Sequence, residues 1–554
     1  MAMKKRHPHK TNILLVNITR LGDMLQSTPT IAGMKAENPG AKVTVVVEKQ
    51  FEDVCHWIPN IDEVISLDLG MTVRSLTREG DGIIDAYQYV DEMVEKLRGK
   101  KFDYCLNMSS SGYTALLLQM LNIGRNGGWS ADEEGYRIIE SDWARLFATS
   151  VFHQNRQFNS LNLVDVFRAS ADVEEHPNRL LMTVDSASDA HAATLIREAG
   201  FTNTGPLIAL QAGASQEKRQ WLPRRFVEFA KVLVEKHNCR LALIGTKKEL
   251  SIIEPIKAQV NSPNVAIFAG KTTIPQLAGV LKASDLLVTG DTGPMHMAVA
   301  VGTPVVSMFL ASAYGYETGP YSEGNLILQP VITCGPCNPN KPCARPDCHD
   351  HIDPTALAEL AMMRVRGDVR HVPHGLVDPR KVMLYRTYFD QHGFYDLQAL
   401  SPTTYDRWTP FREAYRKLWL DDLGGFRVSA GDPESVPSLK RRVVDSGLEG
   451  LDQVVGLARQ GSVLLRELVR LVRDSTSAPK ALGEANSRLT ELDRKIEQLG
   501  FHFQPLGPLT RMFVFSKENL QGSDALQLAS QMESVYSDLA RRGDKLARFY
   551  ANVC

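Results

Sequence analysis

The sequence predicts an α/β protein: two Rossmann-like domains facing across a cleft, followed by a mainly α-helical appendage. Three observations carry that prediction. Short apolar runs alternate with amphipathic stretches from residue 12 to residue 309, the grammar of a parallel sheet. A break near residues 170–205 divides the runs into two sets. Beyond Arg366 the alternation stops and long helical periodicity takes over. The expected domains are therefore residues 1–185, 186–366 and 367–554, the second carrying a cysteine-rich loop at 334–351.

In the first set, residues 12–18 (Asn-Ile-Leu-Leu-Val-Asn-Ile) read as a buried strand. Thr19 to Asp23 form a polar loop, and Thr28 with Pro29 reads as a helix cap and first helical residue. Further strands fall at 42–48, 63–67 and 104–108, with an amphipathic helix at 85–97. Ligands of open α/β sheets gather at the carboxyl ends of strands, which places Gly22 and Asp23 at the cleft. There Asp23 is either a general base or a helix-capping aspartate.

The second set has strands at 207–210, 240–245, 265–269, 285–289 and 305–309. The loop after its first strand holds Gly213, Ala214, Lys218, Arg219 and Trp221. The whole chain is organised around 285–307, where a strand runs into the turn Asp291-Thr292-Gly293 and then a helix opened by Pro294 and stopped by Gly302. A helix N-terminus offers unpaired N–H groups and a positive dipole end to an anion such as a diphosphate. Gly293 permits close approach, Thr292 can add a hydroxyl bond, and Asp291 suits sugar hydroxyls rather than phosphate. The alternative is a structural helix whose Asp and Thr satisfy only their own backbone. His296, one turn on, either packs in the interface or supports the site.

Composition excludes several classes. The 554 residues are 43% hydrophobic and 23% charged with net charge -1, which gives no bulk drive toward nucleic acid or an anionic membrane. No stretch approaches the ~20 apolar residues that span a bilayer. The basic start at Lys4–Arg6 precedes an apolar run too short for a secretory leader, so a cytoplasmic protein is expected. Half of the eight cysteines, Cys334, Cys337, Cys343 and Cys348, lie in one loop beside His349 and His351. Their spacing suits a tetrahedral structural zinc or iron that braces the loop; the alternatives are reduced thiols or a disulfide.

Four stretches, in order, carry a resemblance. They are Leu21-Gly22-Asp23-Met24-Leu25 with Thr28-Pro29, and Ala212-Gly213-Ala214 with Lys218-Arg219-Gln220-Trp221-Leu222-Pro223. Leu243-Ile244-Gly245 with Glu249 follows, then Gly290-Asp291-Thr292-Gly293-Pro294-Met295-His296 with Gly302-Thr303-Pro304. Over roughly residues 10–365 the set resembles the family 9 glycosyltransferases, typified by ADP-heptose:lipopolysaccharide heptosyltransferases. The resemblance implies a GT-B fold and an inverting transfer that needs no metal. The donor it implies is an ADP-sugar such as ADP-heptose, and the acceptor it implies is lipopolysaccharide core, another glycan or a protein hydroxyl.

By the same resemblance Asp23 is the base, and Lys218 or Arg219 neutralises the leaving diphosphate; the motif sets its basic residue two places before Trp221, which is Arg219. Gly22, Gly213, Ala214, Glu249, Asp291, Thr292, Gly293 and His296 line the nucleotide-sugar site. Some protein-modifying relatives carry an iron-bound cysteine-rich loop. A lipid-linked acceptor would bring the enzyme to the cytoplasmic face of the inner membrane as a peripheral protein. Two other readings stand beside this one: a nucleotide-sugar-binding or assembly protein without chemistry, and a metal or redox sensor built on a transferase scaffold.

Past residue 366, helical patterns fall at 409–420, 439–472, 479–499 and 524–550, with a strand candidate at 512–515. Their charges are mixed, unlike a nucleic-acid platform. The appendage is a stabilising extension, an oligomerisation element or a holder for a protein acceptor.

Overall fold

A computed structural model describes residues 10–551 apart from 79, 152–153, 344, 371, 404–405, 427–437 and 474–478; Lys4–Arg6 lie outside the described residues. The first sheet comprises β1 (Asn12–Asn17), β2 (Lys42–Glu48), β3 (Glu63–Leu67), β4 (Tyr104–Asn107), β5 (Asn126–Ala131) and β6 (Arg137–Ile139). Its order is β3-β2-β1-β4-β5-β6, and β1 to β5 pair in parallel. Ile13 to Val16 are completely buried, as expected of a central strand covered on both faces. Strand order reverses between β1 and β4, so a crevice opens at the carboxyl end of β1.

The second sheet contains β7 (Leu207–Gln211), β8 (Arg240–Ile244), β9 (Val265–Ile267), β10 (Leu286–Gly290), β11 (Val305–Met308), β12 (Leu326–Pro330), β13 (Val382–Phe389) and β14 (Tyr395–Ala399). The order β14-β13-β12-β11-β10-β7-β8-β9 puts its own reversal between β7 and β10. The two strand ends there carry the Gly213–Arg219 loop and the Asp291 turn. The 13-residue helix Ser186–Glu198 packs on this half, where Gly279 leaves room for the Ser188 carbonyl.

The expected boundary at 366 moves. The helix Pro354–Arg366 is present, but β13 and β14 follow it and extend the second sheet with antiparallel pairing. They cover the edge that β12 would otherwise expose. Their turn is built by Asp390, whose carboxylate accepts the His392 and Phe394 N–H groups, and by Gly393 at φ 74°. Residues 162–403 thus group with the chain up to 137 in one α/β unit, while 138–161 and 404–554 form a second unit.

The second unit is helical, with Thr409–Asp422, Ser438–Arg473, Pro479–His502, Gly507–Glu518 and Ala525–Ala551 joined by the inserted helix Asp142–Val151. The strand expected at 512–515 lies inside the Gly507–Glu518 helix. Leu509, Met512 and Phe513 recur at helical spacing and are all buried, so tertiary packing overrides the local apolar run.

Within the α/β unit, the helix Leu163–Ser170 of the first half is tied to the β13–β14 hairpin through Asp165. This fully buried carboxylate accepts the Tyr321 hydroxyl at 2.8 Å, the Tyr395 N–H at 2.8 Å and Arg168 Nε at 3.0 Å. Asp165→Ala would strand a buried guanidinium and a buried N–H. The expected cost is about 3 kcal/mol or more in denaturant unfolding of the α/β unit.

Candidate active site

The carboxyl end of β1 runs into the short helix Leu21–Gln26, so Gly22 and Asp23 sit in its first turn, where a loop was expected. Asp23 is half-buried, and one of its carboxylate oxygens accepts the Arg20 N–H at 3.1 Å. The capping geometry and the cleft position therefore coexist in one residue. Burial pushes its carboxyl above the ordinary range, opposed by the Arg20 hydrogen bond and, only where His296 is protonated, by its charge.

His296 lies in the helix Gly293–Val301, buried, with its ring against Gly22. A Cβ on Gly22 would come within 2.8 Å of His296 Cδ2, and one on Gly293 within 2.9 Å of Leu21 Cδ2. Two motif glycines, one from each half, thus let two helix starts interlock. Burial drives the His296 imidazolium down to about 4, with the Asp23 carboxylate resisting, so the ring is neutral at pH 7. Its Nδ1 has no hydrogen-bond partner among the described residues.

The Gly293–Val301 helix is not capped by Thr292, whose hydroxyl pairs instead with Thr289 Oγ1 at 2.9 Å. Asp291 faces Arg219, with the guanidinium Nη1 3.3 Å from its Oδ2, and Arg219 Nε donates to Ser312 Oγ at 2.8 Å. Ser312 was not among the residues singled out from sequence; its place just past the end of β11 is the available signal. Gly213 is required by Glu249, since any Cβ there would collide with that carboxylate. Glu249 in turn accepts Gln211 Nε2 at 2.9 Å and the Thr246 N–H at 2.6 Å. Ala214 is half-buried in the same loop.

Lys218 departs from its neighbours. Its ammonium points into the cysteine-rich loop and donates to the carbonyls of Asn338, Pro339 and Lys341, each at 2.8 Å. Of the two basic residues, the structure brings only Arg219 to Asp291.

The four loop thiols are free; Cys348 is buried and Cys334 and Cys343 are exposed. Burial raises the Cys337 thiol to about 11, helped by Cys334, Cys348 and Cys343 close by. Their chemistry suits a thiolate-seeking metal. Among the described residues, however, no three His, Cys, Asp or Glu side chains converge as a ready metal cage.

Two Rossmann-like halves that meet at a carboxylate and a helix N-terminus make up a GT-B arrangement. Residues 90–345 match the model for Glycosyltransferase family 9 (heptosyltransferase). Lipopolysaccharide heptosyltransferase 3 of Escherichia coli is 24% identical over 293 residues, 52% of this chain and 81% of that protein. Lipopolysaccharide heptosyltransferase 2 of Salmonella typhimurium is 24% identical over 327 residues, 57% of this chain and 87% of that one. A family 9 glycosyltransferase structure from Veillonella parvula superimposes with a TM-score of 0.51 at 18% identity, covering 64% of this chain and 97% of its own. Over residues 90–345 the chain is therefore similar to glycosyltransferase family 9. Among the described residues, no helix is long and apolar enough to cross a membrane.

The buried neutral His296 has a consequence for stability. Its pKa is lowered from 6.5 to about 4 in the folded state. As pH falls from about 6.5 towards 4, the unfolded chain takes up a proton that the folded ring refuses, and stability drops by roughly 3 kcal/mol. Urea unfolding across that window should flatten in His296→Gln.

Proposed function

We propose that the protein transfers a heptose from an ADP-sugar to a lipopolysaccharide core acceptor, with inversion and with no metal in the chemical step. The observation that carries this reading is the packing of the Leu21–Gln26 helix start, which holds Asp23, against the Gly293–Val301 helix start, which follows the Asp291 turn paired with Arg219. The names of the curated relatives support the sugar and the acceptor.

Asp23 takes the proton of the acceptor hydroxyl as that oxygen attacks the anomeric carbon. Its raised pKa makes it a stronger base than an exposed aspartate. The bond from the anomeric carbon to the diphosphate breaks on the opposite face, and negative charge grows on the departing nucleotide. Arg219 and the backbone N–H groups at Gly293 meet that charge from fixed positions.

Asp291 holds Arg219 in place and offers acceptor oxygens to the sugar hydroxyls, beside the Thr292 hydroxyl. Gly213, Ala214 and Glu249 border the nucleoside end. His296, neutral, packs Gly22 and so fixes the helix that carries Asp23. A structural zinc or iron on Cys334, Cys337, Cys343 and Cys348 would need these thiols closer together than they stand, and would cross-link the loop without taking part in transfer. A lipid-linked acceptor places the enzyme at the cytoplasmic face of the inner membrane without a spanning segment.

Calorimetry with ADP-heptose, UDP-sugars and GDP-sugars, with and without EDTA, should show EDTA-insensitive binding of the ADP-sugar alone. Asp23→Asn should lower kcat by about 100- to 10,000-fold while leaving the donor KM nearly unchanged. The parent kcat should fall on the acid side through a pKa above the usual aspartate range, since the base must be ionised to act. Transfer by Asp23→Asn at the parent rate would sink the mechanism.

A further inference from the structure

We propose that Lys218 is a positioning residue: it ties the cysteine-rich loop to the wall of the diphosphate site and does not itself touch the donor. The proposal rests on the reading of Arg219 as the diphosphate-binding cation. An ammonium has three N–H donors, and here three carbonyl oxygens, from Asn338, Pro339 and Lys341, each lie 2.8 Å from the Lys218 nitrogen. Its donors are matched one for one by loop oxygens.

The tie is reinforced on both sides. His349 Nε2–H donates to the Lys218 carbonyl at 2.9 Å, and Trp221 Nε1–H donates to the His349 carbonyl at 2.9 Å. Residues 218 to 221 are therefore fastened to the loop both between Cys337 and Cys343 and just after Cys348.

The loop reaches Arg219 by a second route. The Cys337 N–H donates to the Ala311 carbonyl at 3.0 Å, and Ala311 is held in the left-handed region at φ 55°. The next residue, Ser312, is the one that accepts Arg219 Nε. Arg219 is thus flanked by a neighbour in sequence and a neighbour in space, both gripped by the same loop. A loop that loosened would release the guanidinium from both restraints.

The chemistry of the two cations separates this idea from a direct phosphate contact. A planar guanidinium binds phosphate as well as an ammonium does, or better, through its bidentate fork. It cannot aim three N–H groups at oxygens that converge on a single point. Lys218→Arg should therefore rescue a phosphate ligand and fail to rescue a carbonyl cage.

The test uses the full chain with Lys218→Arg and Lys218→Met. Two quantities are read: donor KM and kcat with ADP-heptose, and hydrogen exchange of residues 334–349 with the rest of the α/β unit as a folding control. Both variants should exchange faster in 334–349 alone. Both should show a donor KM raised about tenfold or more, with a smaller change in kcat. Parent-like KM in Lys218→Arg, or unchanged exchange in Lys218→Met, would overturn the proposal. A parent protein that transfers no sugar from ADP-heptose would instead overturn the functional reading, and the exchange measurement would still decide whether Lys218 holds the loop.

Discussion

The site depends on one steric condition: two helix starts, from different halves of the α/β unit, meet so closely that a Cβ on either glycine would press on a side chain of the other helix. His296 lies on Gly22 and Leu21 lies on Gly293. This interlock buries His296, holds its ring neutral and removes water from one side of Asp23. It also fixes the separation between Asp23 and the helix dipole. Each helix start follows a strand at the point where its own sheet reverses order. The candidate site is therefore assembled from two topological switch points pressed together.

Electrostatic economy follows from the same geometry. Of the three basic side chains near the turn, His296 is uncharged at pH 7 and Lys218 spends its donors on loop carbonyls. Positive potential at this turn then comes from Arg219 and from the backbone at Gly293. Arg219 already lies beside Asp291, which offsets the cost of a partly buried cation before a ligand arrives. A preset donor array of this kind needs little rearrangement as charge develops on a leaving group.

Much of this was legible in the sequence because the signals are local. Apolar runs bounded by glycine and proline mark β1 to β4 and β7 to β11, and the Asp291-Thr292-Gly293-Pro294 turn marks the start of its helix. The direction of Lys218 was not legible, since its partners lie some 120 residues further on and only the folded loop brings them together. The resemblance left Lys218 and Arg219 both open, and the fold sets them apart by their partners: Arg219 pairs with Asp291 and Lys218 with loop carbonyls. The β13–β14 hairpin had a signal in its own aromatic and β-branched run and in the Asp390–Gly393 turn. It was obscured by the linker composition that precedes it. Met512–Phe515 failed for the opposite reason, as a strand-like run whose burial follows helical spacing.

The helical unit is the part that local reading serves least well, because its organising contacts join distant segments. Mixed charge along its helices reads as a solvated surface. Yet the Asp422 side chain is only 1% exposed and is surrounded by Arg541, Arg542 and Lys545. Its aromatic core draws on residues 138–161 as well: Phe158 packs edge-on against Trp408 and Phe411, and Arg412 and Arg416 donate to the Gln157 and Ser160 carbonyls. The chain consequently passes between the two units three times, near 137, 161 and 403. A segment threaded this way is not a detachable tail. Cutting at 404 would leave Phe158, now 1% exposed, without the aromatic rings that bury it, so the extension is built into the folding of the chain that precedes it.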